Sequence, residues 1–62
     1  MNIYSVYKGK KVKLVWKING SYNWVRGVVL ETTETKLQIK SFKYGTTMTI
    51  ANEAITDIHE VP

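Results

Sequence analysis

The stretch that decides the fold runs from Lys11 to Glu31 and reads KVKLVWKINGSYNWVRGVVLE. In its first arm, one face carries Val12, Leu14, Trp16 and Ile18, and the other carries Lys11, Lys13, Val15 and Lys17. Such a period of two is typical of a half-buried β-strand. The dipeptide Asn19-Gly20 follows and favours a hairpin turn, because both residues tolerate positive φ. The second arm is rich in valine, tryptophan and tyrosine, so the stretch predicts a β-hairpin with a cationic, aromatic outer face.

The remainder of the chain predicts three further strands and no amphipathic helix. The five strands are expected over residues 11–18, 22–31, 36–42, 46–51 and 55–61, with turns at 32–35 and 43–45 and one 3₁₀ turn at 52–54. Gly27 lies inside the second strand, where a glycine often marks a bulge or a bend. Residues 1–8 are consistent with an edge strand or with a lid across one end of a barrel. The pattern predicts a single domain, residues 1–62, with an all-β fold, a five-stranded small antiparallel barrel.

The length of the hairpin loop decides which side chains share a face. A loop of two or four residues pairs even positions of the first strand with odd positions of the second, whereas an odd loop would bury Trp24. The even loop predicts an apolar face of Val12, Leu14, Trp16, Ile18, Val25, Gly27, Val29, Leu37, Ile39, Met48, Ile50, Ile55 and Ile58. The opposite face then carries Lys13, Val15, Lys17, Tyr22, Trp24, Arg26, Lys40 and Phe42. The expected cross-strand pairs are Trp24–Phe42, Arg26–Lys40, Val29–Leu37 and Gly27–Ile39.

Charge and composition narrow the classes of function. Nine lysine and arginine residues against five acidic ones give a formal net charge of +4, and most of the cations lie in the first half of the chain. A basic half in a small domain suggests polyanion binding, although a solubilising surface has the same composition. The absence of cysteine fits a cytoplasmic location. No signal peptide is expected, nor a membrane span, which needs an apolar run of about 20 residues.

A set of glycine and aliphatic positions matches a known family. The set comprises Asn19-Gly20, Arg26-Gly27, Val29, Leu37, Ile39, Gly45, Ile50 and Ala54-Ile55. Over residues 12–59 it resembles the Sm-like barrel, with the bacterial Hfq branch closest, within the wider Src-homology-3-type group. The resemblance implies a five-stranded barrel. The acidic residue of the family falls on Thr33, and the residues that read uridine in Hfq fall on positions 51–53, Ala-Asn-Glu, so neither uridine recognition nor ring assembly is carried over.

Catalysis is not expected from this sequence. The chain has one histidine, His59, no cysteine, and serines without a nearby His-carboxylate grouping. Glu53 and Asp57 are more typical of a solvated acidic tail than of an acid–base pair. The scattered carboxylates do not form a metal-ligand cluster, and the glycines do not form a phosphate loop. We therefore expect a non-enzymatic protein with no cofactor, no metal and no small-molecule substrate.

The predicted outer face is the one group of residues that suggests a function. Lys13, Lys17, Arg26 and Lys40 are suited to contact phosphates, while Tyr22, Trp24 and Phe42 are suited to stack on bases. Lys43-Tyr44, at a turn, could extend this surface. The leading prediction is therefore a module that binds single-stranded RNA or DNA. Two alternatives stay open: the aromatic rings simply cover the sheet, or the face is a protein contact of a self-assembling, accessory or inhibitor module.

Overall fold

A computed structural model describes residues 3–62 as five β-strands in one sheet, with two short 3₁₀ turns. The strands are β1 (Lys11–Ile18), β2 (Ser21–Thr32), β3 (Lys36–Ser41), β4 (Thr47–Ala51) and β5 (Ile55–Glu60), and the 3₁₀ turns are Ser5–Tyr7 and Asn52–Ala54. The predicted strands are confirmed to within one residue at each end, as is the 3₁₀ turn at residues 52–54. No α-helix occurs in the described part of the chain.

The β1–β2 hairpin follows from the Asn19-Gly20 turn. Asn19 has a φ of 51° and Gly20 a φ of 81°, the positive pair that a two-residue type I′ loop requires. Ile18 pairs with Ser21 directly across the loop, so the loop holds two residues. The predicted parity is therefore confirmed, and Trp24 faces away from the core.

Replacing Asn19 by alanine is expected to destabilise this hairpin. The left-handed conformation costs a residue with a Cβ and no local hydrogen-bonding side chain about 1–2 kcal/mol. In a domain of this size, a change of about 1 kcal/mol lowers the Tm by roughly 4–8 °C. Asn19→Gly is the matched control and should retain the wild-type Tm in a thermal melt. Equal melting of the two variants would contradict the turn assignment.

One face of the sheet forms the hydrophobic core. Its buried side chains are Val12, Leu14, Trp16, Val25, Val29, Leu37, Ile39 and Ile50, with Met48, Ile55 and Ile58 partly buried against them. Ile18 was predicted to belong to this face, but its side chain is 51% exposed. The reason is that β5 pairs with β1 only as far as Trp16, which leaves Ile18 beyond the neighbouring strand.

The pairing of β2 with β3 differs from the prediction by two residues. The predicted pairs Trp24–Phe42, Arg26–Lys40, Val29–Leu37 and Gly27–Ile39 are wrong; the observed pairs include Gly27–Ser41, Val28–Lys40 and Val29–Ile39. The chain reverses later than predicted, after Thr32, and a β-bulge between Val29 and Glu31 adds one residue to β2. Because a shift of two keeps every side chain on its face, the predicted faces are right although the predicted neighbours are not.

The strands lie in the order β4-β3-β2-β1-β5, and every neighbouring pair is antiparallel. The all-β antiparallel class is thereby confirmed. Within the described residues, β4 and β5 lie at opposite edges of the sheet and are not hydrogen-bonded to each other. The structure thus shows one open five-stranded sheet, without the closure that defines a barrel.

The N-terminal segment packs on the core as a turn. Tyr4 and Tyr7 are partly buried against the core cluster, and Lys8 Nζ lies 3.1 Å from Glu31 Oε1. The hydrogen bond from Lys8, a backbone N–H and the positive charge of Lys8 together lower the pKa of Glu31. Residues 3–8 therefore act as a cover over apolar side chains and not as an edge strand, while residues 1 and 2 lie outside the described chain.

Candidate nucleic-acid interface

On the outer face of the sheet, the side chains of paired residues line up in rows that cross the strands. One row contains Phe42, Arg26, Lys13 and His59, which come from the residue after β3 and from β2, β1 and β5. The Phe42 N–H donates a hydrogen bond to the Arg26 carbonyl at 3.0 Å, which places Phe42 directly across from Arg26. Neighbouring strands lie about 4.8 Å apart. This row therefore puts two cationic groups, one imidazole and one phenyl ring on a single line.

Adjacent rows contain the other predicted residues. On one side lie Trp24, Val15 and Asp57, followed by Tyr22 and Lys17; on the other side lie Lys40, Val28 and Lys11. Successive rows are about 7 Å apart, because alternate residues of a strand share a face. Lys13, Lys17, Tyr22, Trp24, Arg26 and Phe42 thus occupy three consecutive rows, and Lys40 lies in a fourth row at the end of the same face.

The aromatic side chains of this face are exposed and flanked by cations. The Trp24 side chain is 63% exposed, and Lys13 Nζ lies 5.2 Å from the centre of its ring. Lys17 Nζ lies 5.1 Å from the centre of the Tyr22 ring. Exposed cation–π contacts of this kind contribute about 0.5–1 kcal/mol each. Rings and ammonium groups are consequently presented together, within reach of one ligand.

The cations of the outer face differ from the other lysines of the basic half in their ion pairing. Lys8 and Lys10 are paired, the first with Glu31 and the second with Glu60 at 3.0 Å. Among residues 3–62, no ion pair involves the cations of the outer face, which are Lys11, Lys13, Lys17, Arg26 and Lys40. One carboxylate interrupts the array: Asp57 Oδ2 lies 3.4 Å from His59 Nδ1. The outer face therefore retains an excess of positive charge.

A groove lies where this face meets the β3–β4 turn. It encloses about 590 Å³ and is lined by Trp24, Val25, Arg26, Ser41, Phe42, Lys43 and Tyr44. Lys43 Nζ lies 5.3 Å from the centre of the Tyr44 ring, which repeats the cation–aromatic pairing seen on β1 and β2. Lys43 and Tyr44 therefore both lie at the edge of the outer face, where they line the groove together with Trp24.

No family model, no curated protein and no solved structure matches this chain. The Sm-like resemblance accordingly stays an inference from the sequence.

The predicted set of binding residues leaves out several members of this surface. The alternation of β1 already places Lys11 on the same face as Lys13, but Lys11 is not in the predicted binding set. Asp57 and His59 could not be placed from the sequence, because a register irregularity between Val15 and Trp16 decides how β5 lies against β1. Their place opposite the lysine-rich strand needed the structure.

Residues 3–62 contain neither a candidate metal site nor a candidate membrane-spanning helix. No group of three or more His, Cys, Asp or Glu side chains is arranged to hold a metal ion. The described chain also contains no helix with the length and apolar character that crossing a membrane demands.

Proposed function

We propose that this protein is a small non-enzymatic module that binds single-stranded RNA or DNA through the outer face of β1, β2 and β3. The observation that carries the proposal is the array of ion-pair-free cations interleaved with exposed rings. Lys13, Lys17, Arg26 and Lys40 provide phosphate contacts, and single-stranded nucleic acid offers phosphates and accessible base faces at regular spacing. Trp24, Tyr22 and Phe42 provide the stacking surfaces.

The layout of the array supports a single strand rather than a duplex as the ligand. The cations of β1, namely Lys11, Lys13 and Lys17, form a column beside the aromatic column of Tyr22 and Trp24 on β2. A ligand that runs along the strands would place its phosphates on the first column and its bases on the second. Bases in a duplex are already stacked and paired, so their faces are not available to side-chain rings.

Fluorescence anisotropy with labelled single-stranded RNA and DNA tests the proposal. Binding should weaken steeply with salt, because four phosphate contacts on a single strand give a slope of about −3 in log K against log [salt]. An absence of binding at tens of micromolar protein and about 50 mM salt would reject the function, since nonspecific electrostatic binding is strongest at low salt.

Neutralising the carboxylate of the array is expected to strengthen binding. Asp57→Asn removes a negative charge next to the cations, and a contribution of roughly 0.5 kcal/mol at an exposed site corresponds to a two- to threefold gain in affinity. Glu53→Gln is the matched control, because it makes the same charge change away from this face. Glu53 lines a separate cavity together with Thr35 and Lys36. Anisotropy titrations at low salt compare the two variants. An equal gain for both would show that only net charge matters.

A protein-binding function is the second candidate. It is favoured by the exposure of Trp24, Phe42 and Tyr44 in one groove, since aromatic residues and arginine dominate binding energy at protein interfaces. Within residues 3–62, the outer edges of β4 and β5 carry no neighbouring strand, so they also offer strand pairing to a partner or a second copy. This candidate predicts a mass above the monomer or a protein partner, with no salt-sensitive affinity for nucleic acid.

We also propose that the open sheet belongs to the small-barrel architecture of the Sm-like and Src-homology-3-type group. Support comes from the partly buried Ile55 and Ile58 of β5 and Met48 of β4, which pack on one core from opposite ends of the sheet. Nuclear Overhauser contacts between β4 and β5 would establish closure. Their absence in a folded sample would leave an open sheet.

A further inference from the structure

We infer that the groove between Trp24 and the β3–β4 turn is a subsite for one unstacked nucleotide, with the base held against the aromatic walls and the phosphate at Arg26 and Lys43. The inference rests on the proposed function and deepens it, because it assigns one nucleotide to one place. It also adds Tyr44 and Lys43 to the binding residues.

The size and lining of the groove suit a nucleotide. Its volume of about 590 Å³ is enough for a base with its sugar and phosphate, since pockets for small ligands span about 300–1,000 Å³. Two cations and three aromatic rings line it, and no carboxylate does. A separate cavity near the β2–β3 turn provides the contrast, because it is lined by two glutamates, one lysine and no ring. Charge therefore directs an anionic, planar ligand to the first groove.

Trp24 forms the side of the groove that faces the turn, and it is 63% exposed. Lys13, whose Nζ lies 5.2 Å from the centre of the indole ring, is not among the residues that line the groove. A ligand in the groove can therefore contact Trp24 without contacting Lys13.

The opposite wall is fixed by the hydrogen bonds of the turn. Ser41 is buried, with 2% of its surface exposed, and its Oγ accepts a hydrogen bond from the Tyr44 N–H at 3.2 Å. The Ser41 N–H donates to the Thr46 carbonyl, and the Gly45 N–H donates to the Ser41 carbonyl, both at 2.9 Å. Gly45 has a φ of 68°, which a residue without Cβ adopts at low cost. The backbone of this wall is thus held before a ligand arrives, so binding does not have to order the turn itself.

The chain offers a matched pair of tyrosines for testing this subsite. Tyr22 is 66% exposed and Tyr44 is 69% exposed, and each ring has a lysine Nζ at 5.1 or 5.3 Å from its centre. Only Tyr44 lines the groove. A ligand that fills the groove alone should detect the loss of Tyr44 and not the loss of Tyr22.

Adenosine monophosphate and ribose 5-phosphate are suitable probes. Two-dimensional NMR detects the binding of each to the wild-type protein and to the Tyr22→Ala and Tyr44→Ala variants. We expect adenosine monophosphate to shift the Trp24 indole resonance and to bind more tightly than ribose 5-phosphate. Tyr44→Ala should weaken this binding by about fivefold or more, the lower end for loss of one stacking contact, while Tyr22→Ala leaves it unchanged. A labelled oligonucleotide should be weakened by both substitutions.

The failure of this inference can be distinguished from the failure of the proposed function. Suppose that the oligonucleotide binds but Tyr44→Ala and Tyr22→Ala change the affinity for adenosine monophosphate equally. The proposed subsite is then wrong, and the proposed function stands. The same conclusion follows if ribose 5-phosphate binds as well as the nucleotide. If neither the oligonucleotide nor the nucleotide binds the folded wild-type protein, both proposals are wrong.

Discussion

Gly27→Ala is expected to abolish stable folding or to destabilise the domain by about 3 kcal/mol or more, at the upper end of overpacking effects. A Cβ at this position would overlap the Lys40 carbonyl oxygen and lie 2.8 Å from the carbonyl carbon. Both are backbone atoms, so the clash cannot be relieved by a side-chain rotation. Because small domains are only marginally stable, the separation of β2 from β3 that is needed to admit a methyl group should be sufficient to unfold this one.

Thermal and urea unfolding followed by circular dichroism measure this effect. Gly45→Ala is the comparison, because a Cβ there meets no atom within 4 Å and the cost comes only from the positive φ of 68°. That cost is about 1–2 kcal/mol. A Gly27→Ala variant as stable as Gly45→Ala would show that the two strands are not in the close contact described.

The face of the sheet on which each side chain lies was predictable from a few local signals. The alternation of β1 marks one apolar face, and Asn19-Gly20 allows a two-residue loop, so the outward position of Trp24 follows from turn chemistry. The five strands and the 3₁₀ turn before β5 were predictable for the same reason, since each depends on neighbours in the sequence. Local chemistry therefore decides on which face of the sheet a side chain lies.

The cross-strand neighbours were not predictable, because they depend on where the chain reverses and where a bulge occurs. The bulge between Val29 and Glu31 has no marker such as a glycine, and Gly27, where an irregularity was expected, is instead a site of close strand approach. The consequence for the site is specific. Phe42 lies directly across from Arg26 and not from Trp24, and the groove is formed by Trp24, Phe42 and the turn that follows Phe42.

The close contact between β2 and β3 at Gly27 also connects the stability of the domain with the proposed site. The hydrogen bond from the Phe42 N–H to the Arg26 carbonyl lies next to Gly27, where a Cβ would overlap the backbone of β3. This hydrogen bond places Phe42 directly across from Arg26. A substitution that separates β2 from β3 at Gly27 is therefore expected to displace Arg26 and Phe42 on the outer face as well.

Trp24→Ala is expected to weaken binding of single-stranded nucleic acid by about 5- to 150-fold, which is the effect of losing one stacking contact of about 1–3 kcal/mol. Trp24 lies in the central row of the array and also forms one wall of the groove. No other exposed ring of the surface occupies both positions. Anisotropy titrations with the labelled oligonucleotide at constant salt measure the loss.

Two comparisons separate stacking from other causes of that loss. Trp24→Phe retains a flat ring and should recover most of the affinity, whereas Lys8→Ala removes a cation that is paired with Glu31 and should change affinity little. Because Trp24 is largely exposed and opposite Val15 on the outer face, Trp24→Ala should leave the Tm close to that of the wild type. A folded Trp24→Ala protein that binds as tightly as the wild type would mean that the cations act alone, and that the surface attracts phosphates without holding a base.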